Sequence, residues 1–284
     1  MKTVGIVGLG LMGASFAKAL KEKKLCEKIF ACDINATVLE KAKNGNIITE
    51  GFIPENVDAM LEKCQIVFIC LYPGATKKFL DKHKNSFASG AIITDIAGVK
   101  SILIDESEKL QSAKLGKAFF IPGHPMAGGE KEGFEYSSAN FFNGRNYILL
   151  PFADTPPEKL HNFEKLIYDL GFKRIIKTSA KNHDHKIAFT SQLCHVIASG
   201  LVQCAEDTNI TEFGGGSFED LTRIAMINAP LWTELFLANK TNLVYHIESF
   251  EKSLSQLKNL IETENETDLK NYLQNVREKR IKMI

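Results

Sequence analysis

No run of this sequence stays apolar for the ~20 residues that a helical bilayer span requires, so no membrane role is expected. Charge of one sign is missing too. Lys and Arg number 35 against 34 Asp and Glu, a formal net charge of +1, and no strong field points to nucleic acid or a lipid surface. The six cysteines, at 26, 32, 64, 70, 194 and 204, form no C-x-x-C pair. They read as small apolar residues in a reducing compartment, and neither disulfides nor a metal site is expected. Repeats and low-complexity tracts are absent. An apolar segment begins at Val4, so no secretory signal is expected ahead of it, and a cytoplasmic location follows. What remains is 44% hydrophobic and 24% charged, the profile of a globular protein with a sizeable core.

The first twenty residues organise the rest. Val4–Val7 reads as a buried strand, Gly8-Leu9-Gly10-Leu11-Met12-Gly13 as a tight turn, and Ala14–Leu20 as the opening of a helix. Strand, glycine turn and helix in that order form a dinucleotide-binding fingerprint. Gly8 permits the turn, Gly10 lets backbone approach a pyrophosphate, and Gly13 lets helix and strand pack closely. The helix start offers N–H groups and the positive dipole end to phosphate. A second strand, Lys28–Cys32, ends at Asp33, twenty residues after Gly13, where an acid meets the adenosine ribose hydroxyls. Neither Ile34 nor Asn35 supplies an arginine for a 2′-phosphate, so NAD is expected over NADP.

Helices are expected over 37–43, 57–63, 76–83 and 100–111, alternating with apolar strands at 66–70, 91–94 and 118–121. This alternation predicts a Rossmann-type α/β domain, a doubly wound parallel sheet covered on both faces. Ligands in such sheets lie beyond the carboxyl ends of the strands. Leu71, Pro73 and Asp95 stand there as candidate cofactor contacts beside Leu9, Leu11 and Met12. A loop-rich interval covers 123–143, followed by a strand at 146–150, a helix at 157–170 and a last strand at 173–178. The α/β pattern then stops, so the dinucleotide-binding domain is expected over 1–178 and an all-α domain over 179–284, without a flexible linker. Expected helices there run over 182–207, from an N-cap at Ser217 to Ile227, from Pro230 past Trp232, and over 268–282. Leu243, Ile247, Phe250, Leu254, Leu257 and Ile261 recur in a heptad-like stripe. A domain of this size does not easily bury that stripe alone, which predicts a homodimer through residues 179–284.

Three stretches carry candidate chemistry. In Gly123-His124-Pro125-Met126-Ala127-Gly128, Pro125 pushes His124 toward an extended backbone and the glycines admit a ligand. His124 is there as a base near neutral pH, or as part of a structural His-Pro turn. Asp184, Ser191 and His195 are spaced seven and four apart, which places them on one face of a single helix. They form either a substrate-facing set or a polar seam between helices. Arg223, among apolar neighbours, is suited to gripping a carboxylate, or pairs with Asp220 or Glu219 on the helix surface.

These motifs, with Lys100 five residues after Asp95 and with Phe218–Ala225 and Trp232, resemble the prephenate dehydrogenases, the TyrA family, over nearly the whole chain. The resemblance implies an NAD-dependent enzyme that oxidatively decarboxylates prephenate to 4-hydroxyphenylpyruvate, or the related arogenate to tyrosine. It implies a dimerising helical domain, His124 as partner of the ring hydroxyl and Arg223 as carboxylate ligand. Ser191 and His195 would line the substrate pocket, and Gly216 would bring backbone near it. Two positions depart from the family pattern. Gly98 stands where many members carry a serine that orients the histidine, so a water or another hydroxyl is expected to do so here. Gln192 stands where histidine is common. A β-hydroxyacid dehydrogenase, the rival enzyme class, would carry a G-x-x-G-x-x-x-K-x-x-N pattern, which is absent. A nucleotide-sensing protein without activity would have no need for His124, His195 and Arg223 to converge.

Overall fold

A computed structural model of the protein describes residues 2–104, 112–129 and 131–283. The chain opens with β1 (Thr3–Val7), α1 (Leu11–Glu22), β2 (Lys28–Cys32), α2 (Ala36–Asn44) and β3 (Glu50–Phe52). It continues with α3 (Val57–Leu61), β4 (Ile66–Ile69), α4 (Pro73–His83), β5 (Ile92–Asp95), β6 (Lys114–Leu115) and β7 (Ala118–Phe120). These strands form a seven-stranded sheet in the order β3-β2-β1-β4-β5-β7-β6. All neighbours run parallel except the short edge strand β6, antiparallel to β7. The order reverses at β1, between β2 and β4, so a crevice opens beyond the carboxyl ends of β1 and β4.

Local chemistry explains the elements. Asn35 caps α2, its side chain accepting from the backbone N–H groups of Thr37 and Val38. Phe16 of α1 stacks on Phe68 of β4 at 4.5 Å and on Phe142 at 4.3 Å between ring centroids, which clamps the first helix to the sheet. Such pairs add about 0.5–1.5 kcal/mol each beyond their buried area. The other face of the sheet is covered by Met60 and Leu61 of α3 and Leu80 of α4.

A second, three-stranded sheet follows, which the alternation of elements did not signal. It is made of β8 (Gly123–Pro125), β9 (Asn146–Leu149) and β10 (Arg174–Lys177), with α5 (Pro157–Asp169) between the last two. β8 runs antiparallel to β9 and pairs His124 with Ile148, so the His-Pro motif lies on a strand rather than in a loop. The helix expected over 100–111 is not formed at its start: residues 101–103 make a turn, and residues 105–111 lie outside the described residues.

The last strand ends at Lys177, and α6 (Ala180–Ile187) begins three residues later, capped by Ser179. A π-helical turn (Ala188–Gln192) leads into α7 (Leu193–Gln203), so the single uninterrupted helix expected over 182–207 is corrected. α8 (Gly216–Thr222) is shorter than expected and starts at Gly216, before the proposed Ser217 cap. A 3-10 turn, Arg223–Ala225, follows. Then come α9 (Ala229–Ala238), capped by Asn228, α10 (Lys240–Glu262) and α11 (Glu266–Ile281). The helical part is tied to the α/β part across the cleft. Glu234 of α9 accepts from the Gly74 N–H at the start of α4, and the Asn228 amide donates to the Tyr72 hydroxyl at 2.9 Å. Along α10 the stripe divides. Leu243 is buried, whereas Leu254 and Ile261 are 54% and 58% exposed in the single chain. None of the helices among the described residues is long and apolar enough to cross a membrane.

Candidate active site

The turn after β1 is shaped by two close approaches. Gly8 has φ +92°, and a Cβ there would lie 2.6 Å from the Cys70 carbonyl oxygen. A Cβ on Gly13 would lie 1.8 Å from the Gly8 carbonyl oxygen, so only glycine lets α1 sit this near the strand. Gly10 faces open space, and no side chain caps α1. The first-turn N–H groups are therefore available to a pyrophosphate. Asp33, half-buried at the end of β2, accepts from Leu9 N at 2.6 Å and Asn35 N at 2.8 Å. These bonds fix the carboxylate beside the turn. The residues fit a dinucleotide.

From this turn a cleft of about 590 Å³ runs between the two halves of the chain. Gly10, Leu11, Met12, Leu71 and Pro73 line its α/β side, with Gly98 and His124 deeper in. Ser191, His195, Arg223 and Trp232 line the helical side. The structure thus brings His124, His195, Ser191 and Arg223 to one cavity. Gly8, Leu9 and Gly13 lie behind the turn and shape it, and Gly216 does not line the cavity.

Asp95 requires a correction as a cofactor contact. It is fully buried behind the end of β5. Its carboxylate accepts from the Lys100 amine, from Ala97 N at 2.8 Å and from Gly123 N at 3.3 Å. Lys100, also fully buried, donates in addition to the Gly123 carbonyl. Burial lowers the Lys100 pKa against the pull of Asp95. This pair anchors the backbone of the strand that carries His124.

The His124 ring is held from behind. Its Nδ1 lies 2.9 Å from His183 Nε2, and the two rings meet edge-on. His183 Nδ1 lies 2.7 Å from Asp184 Oδ1. A histidine thus orients the ring through Nδ1, on the side away from Gly98. Burial, then the neighbouring His183 and Lys100, hold the His124 pKa well below its usual 6.5. A Cβ on Gly98 would lie 3.8 Å from His124 Nε2, so the glycine leaves that nitrogen's side of the ring uncrowded.

Asp184 does not share a face with Ser191 and His195. It accepts from the backbone N–H groups of Lys100 and Ser101, both at 2.8 Å, on the far side of α6. The π turn holds one residue more than an α turn, which rotates the residues beyond it by about 100°. Ser191, within the turn, and His195, beyond it, both face the cleft. His195 donates from Nδ1 to the Ser191 carbonyl at 3.0 Å and stacks on Trp232 at 3.6 Å. Burial lowers its pKa, and Arg223 adds to this against the Ser191 hydrogen bond. Gln192 is buried at the edge of the same cleft. Its amide donates to the Leu235 carbonyl at 2.9 Å, and its oxygen accepts from Asn239 at 2.8 Å.

Comparison with known proteins decides the family. The model "Prephenate dehydrogenase, nucleotide-binding domain" matches residues 16–176, and "Prephenate dehydrogenase, dimerization domain" matches residues 179–275. The chain belongs to the prephenate dehydrogenase family. A cyclohexadienyl dehydrogenase from Zymomonas mobilis is 29% identical, with 92% of this chain and 88% of that protein covered. The structure of Aquifex aeolicus prephenate dehydrogenase, solved with hydroxyphenyl propionate and NAD+, is 32% identical at a TM-score of 0.84, covering 100% of this chain and 99% of that one. Synechocystis arogenate dehydrogenase is 27% identical at a TM-score of 0.81, covering 99% of this chain and 100% of that one. The cavity between the two halves is where the glycine turn and the residues of the helical side meet. His124 on β8 and Arg223 after α8 both line it.

Proposed function

We propose that this enzyme converts prephenate and NAD to 4-hydroxyphenylpyruvate, carbon dioxide and NADH. One observation carries the chemistry. A neutral imidazole on one wall of the cleft faces a guanidinium-bearing turn on the other, with the glycine turn at its mouth.

Gly10, Leu11 and Met12 would hold the pyrophosphate of NAD, and Asp33 the adenosine ribose. Bound there, NAD would supply the hydride acceptor for the ring carbon that carries the substrate hydroxyl. His124 accepts the hydrogen bond of that hydroxyl and draws its proton away as the carbon becomes carbonyl-like. The carboxylate on the opposite ring carbon leaves as carbon dioxide, and its electron pair restores the aromatic ring. The proton returns from His124 to the phenolic oxygen, so none is consumed. Arg223 pairs with a substrate carboxylate through charge-assisted bonds. Trp232 and His195 supply a stacked wall on the helical side, which excludes water from the reacting ring.

Arogenate, with an amino group where prephenate has a keto group, is the second reading. It is favoured by the arogenate and cyclohexadienyl dehydrogenases among the similar proteins. Domain limits of 1–178 and 179–284, a homodimer through the exposed stripe of α10, and a cytoplasmic location complete the proposal. Stoichiometry tests it: one carbon dioxide and one 4-hydroxyphenylpyruvate should appear per NADH formed from prephenate. NADH without carbon dioxide would contradict it.

A further inference from the structure

His183 and Asp184 are two buried titratable groups that the reaction does not consume, and both lie directly behind His124. We propose that they are positioning residues that fix His124 in its Nδ1-protonated tautomer, leaving the bare Nε2 as the atom that receives the substrate proton.

The assignment follows from donors that have no choice. The backbone N–H of Lys100 donates to Asp184 Oδ1 and that of Ser101 to Oδ2, each at 2.8 Å. An N–H can only donate, so both carboxyl oxygens act as acceptors, an arrangement that favours the ionised carboxylate. Burial pushes the Asp184 pKa up, but the bonds from His183, Lys100 and Ser101 outweigh it and lower it. Asp184 Oδ1 also faces His183 Nδ1 at 2.7 Å, so His183 carries its proton on Nδ1. Burial keeps His183 neutral against the pull of Asp184, so its Nε2 is bare and can only accept. The partner of that nitrogen is His124 Nδ1 at 2.9 Å, which must therefore be the donor. A neutral imidazole protonated on Nδ1 has its lone pair on Nε2.

The same geometry explains the tolerance of Gly98. A hydroxyl at that position would approach His124 from the Nε2 side, 3.8 Å from a Cβ placed there. The His183–Asp184 pair orients the ring from the opposite side, through Nδ1, and leaves the Nε2 side to the substrate. Lys100 closes the arrangement. Its amine holds the Gly123 carbonyl and its backbone N–H holds Asp184, so one residue fixes both the strand of His124 and the carboxylate behind it.

The role of His124 as base rests on the proposed function, but the tautomer does not, and the experiment separates them. Nitrogen NMR of the wild-type enzyme, selectively labelled at histidine and observed without substrate at pH 7.5, should show His124 with a protonated Nδ1 and a bare Nε2. A protonated Nε2 would overturn the assignment whatever the activity. His183→Phe removes the acceptor and should yield a mixture of tautomers, with kcat for prephenate down tenfold or more and NAD affinity unchanged. His183→Gln, whose side-chain oxygen reaches the place of Nε2, should recover most of that loss. A purely structural role predicts that both variants fall together with thermal stability and keep the wild-type tautomer. That result, or an unchanged kcat in His183→Phe, would refute the proposal.

Discussion

His124→Asn is the perturbation with the clearest expected magnitude. An asparagine side chain ends where Nδ1 of the imidazole stands, so it retains an atom able to reach His183 Nε2, 2.9 Å from that position. It loses the far side of the ring, and with it Nε2. The substitution therefore removes the base while disturbing its support little. The cofactor turn at Gly8–Gly13 lies on a different strand and is untouched. A positioned base contributes about 10²–10⁴-fold in rate, or about 2.7–5.4 kcal/mol at 1.36 kcal/mol per decade. The assay is steady-state NADH formation from prephenate, with NAD affinity measured separately by titration. The variant should lose about 10²–10⁴-fold in kcat and bind NAD as the wild type does. A primary isotope effect with substrate deuterated at the hydroxyl-bearing carbon establishes that chemistry limits the rate. Turnover within a few-fold of wild type, with that isotope effect present, would refute the reasoning and move the base to His195.

Arg223→Ala should cost about 2–5 kcal/mol of substrate binding, seen as a raised KM for prephenate with NAD affinity nearly intact; an unchanged KM would assign Arg223 to structure. Leu254→Glu, in the exposed stripe of α10, should convert a dimer to a monomer in sedimentation at micromolar concentration, and a wild type that is already monomeric would end the dimer proposal. Stability should fall as the pH drops below about 6.5, the usual histidine pKa. His124 and His183 have depressed pKa values in the folded protein, so the unfolded chain binds their protons first. Their stabilisation is complete above 6.5 and is lost as pH falls toward the folded pKa values, by at most about 1.4 kcal/mol per pH unit for each. A melting temperature flat between pH 7 and 5 would contradict this. The catalytic efficiency should be higher with NAD than with NADP, because Asp33 repels a 2′-phosphate and Ile34 and Asn35 offer it no cation.

The glycine turn, the strands that flank it and the position of His124 were legible because each depends on neighbours in sequence. Gly8, Gly13 and Pro125 act through backbone geometry that no distant residue has to supply. What stayed hidden depends on distant partners. The π turn at Ala188–Gln192 coincides with the buried bonds of Gln192 to Leu235 and Asn239, more than forty positions away. A helical wheel drawn through Asp184, Ser191 and His195 assumes a regular period and so puts all three on one face. Asp95 follows the same logic: the end of a strand is the right place for a ligand contact, but its carboxylate is taken by Lys100. The small second sheet was invisible because β9 and β10 resemble any αβ alternation, and only the antiparallel pairing of β8 with β9 separates them from the main sheet.

The most direct measurement is the initial rate of NAD reduction by the purified enzyme with prephenate, set beside arogenate at equal concentration. NADH fluorescence should rise with prephenate and saturate, and its rate should fall about 10²–10⁴-fold in His124→Asn. No NADH from either substrate at enzyme concentrations where NAD is shown to bind would contradict the proposed function.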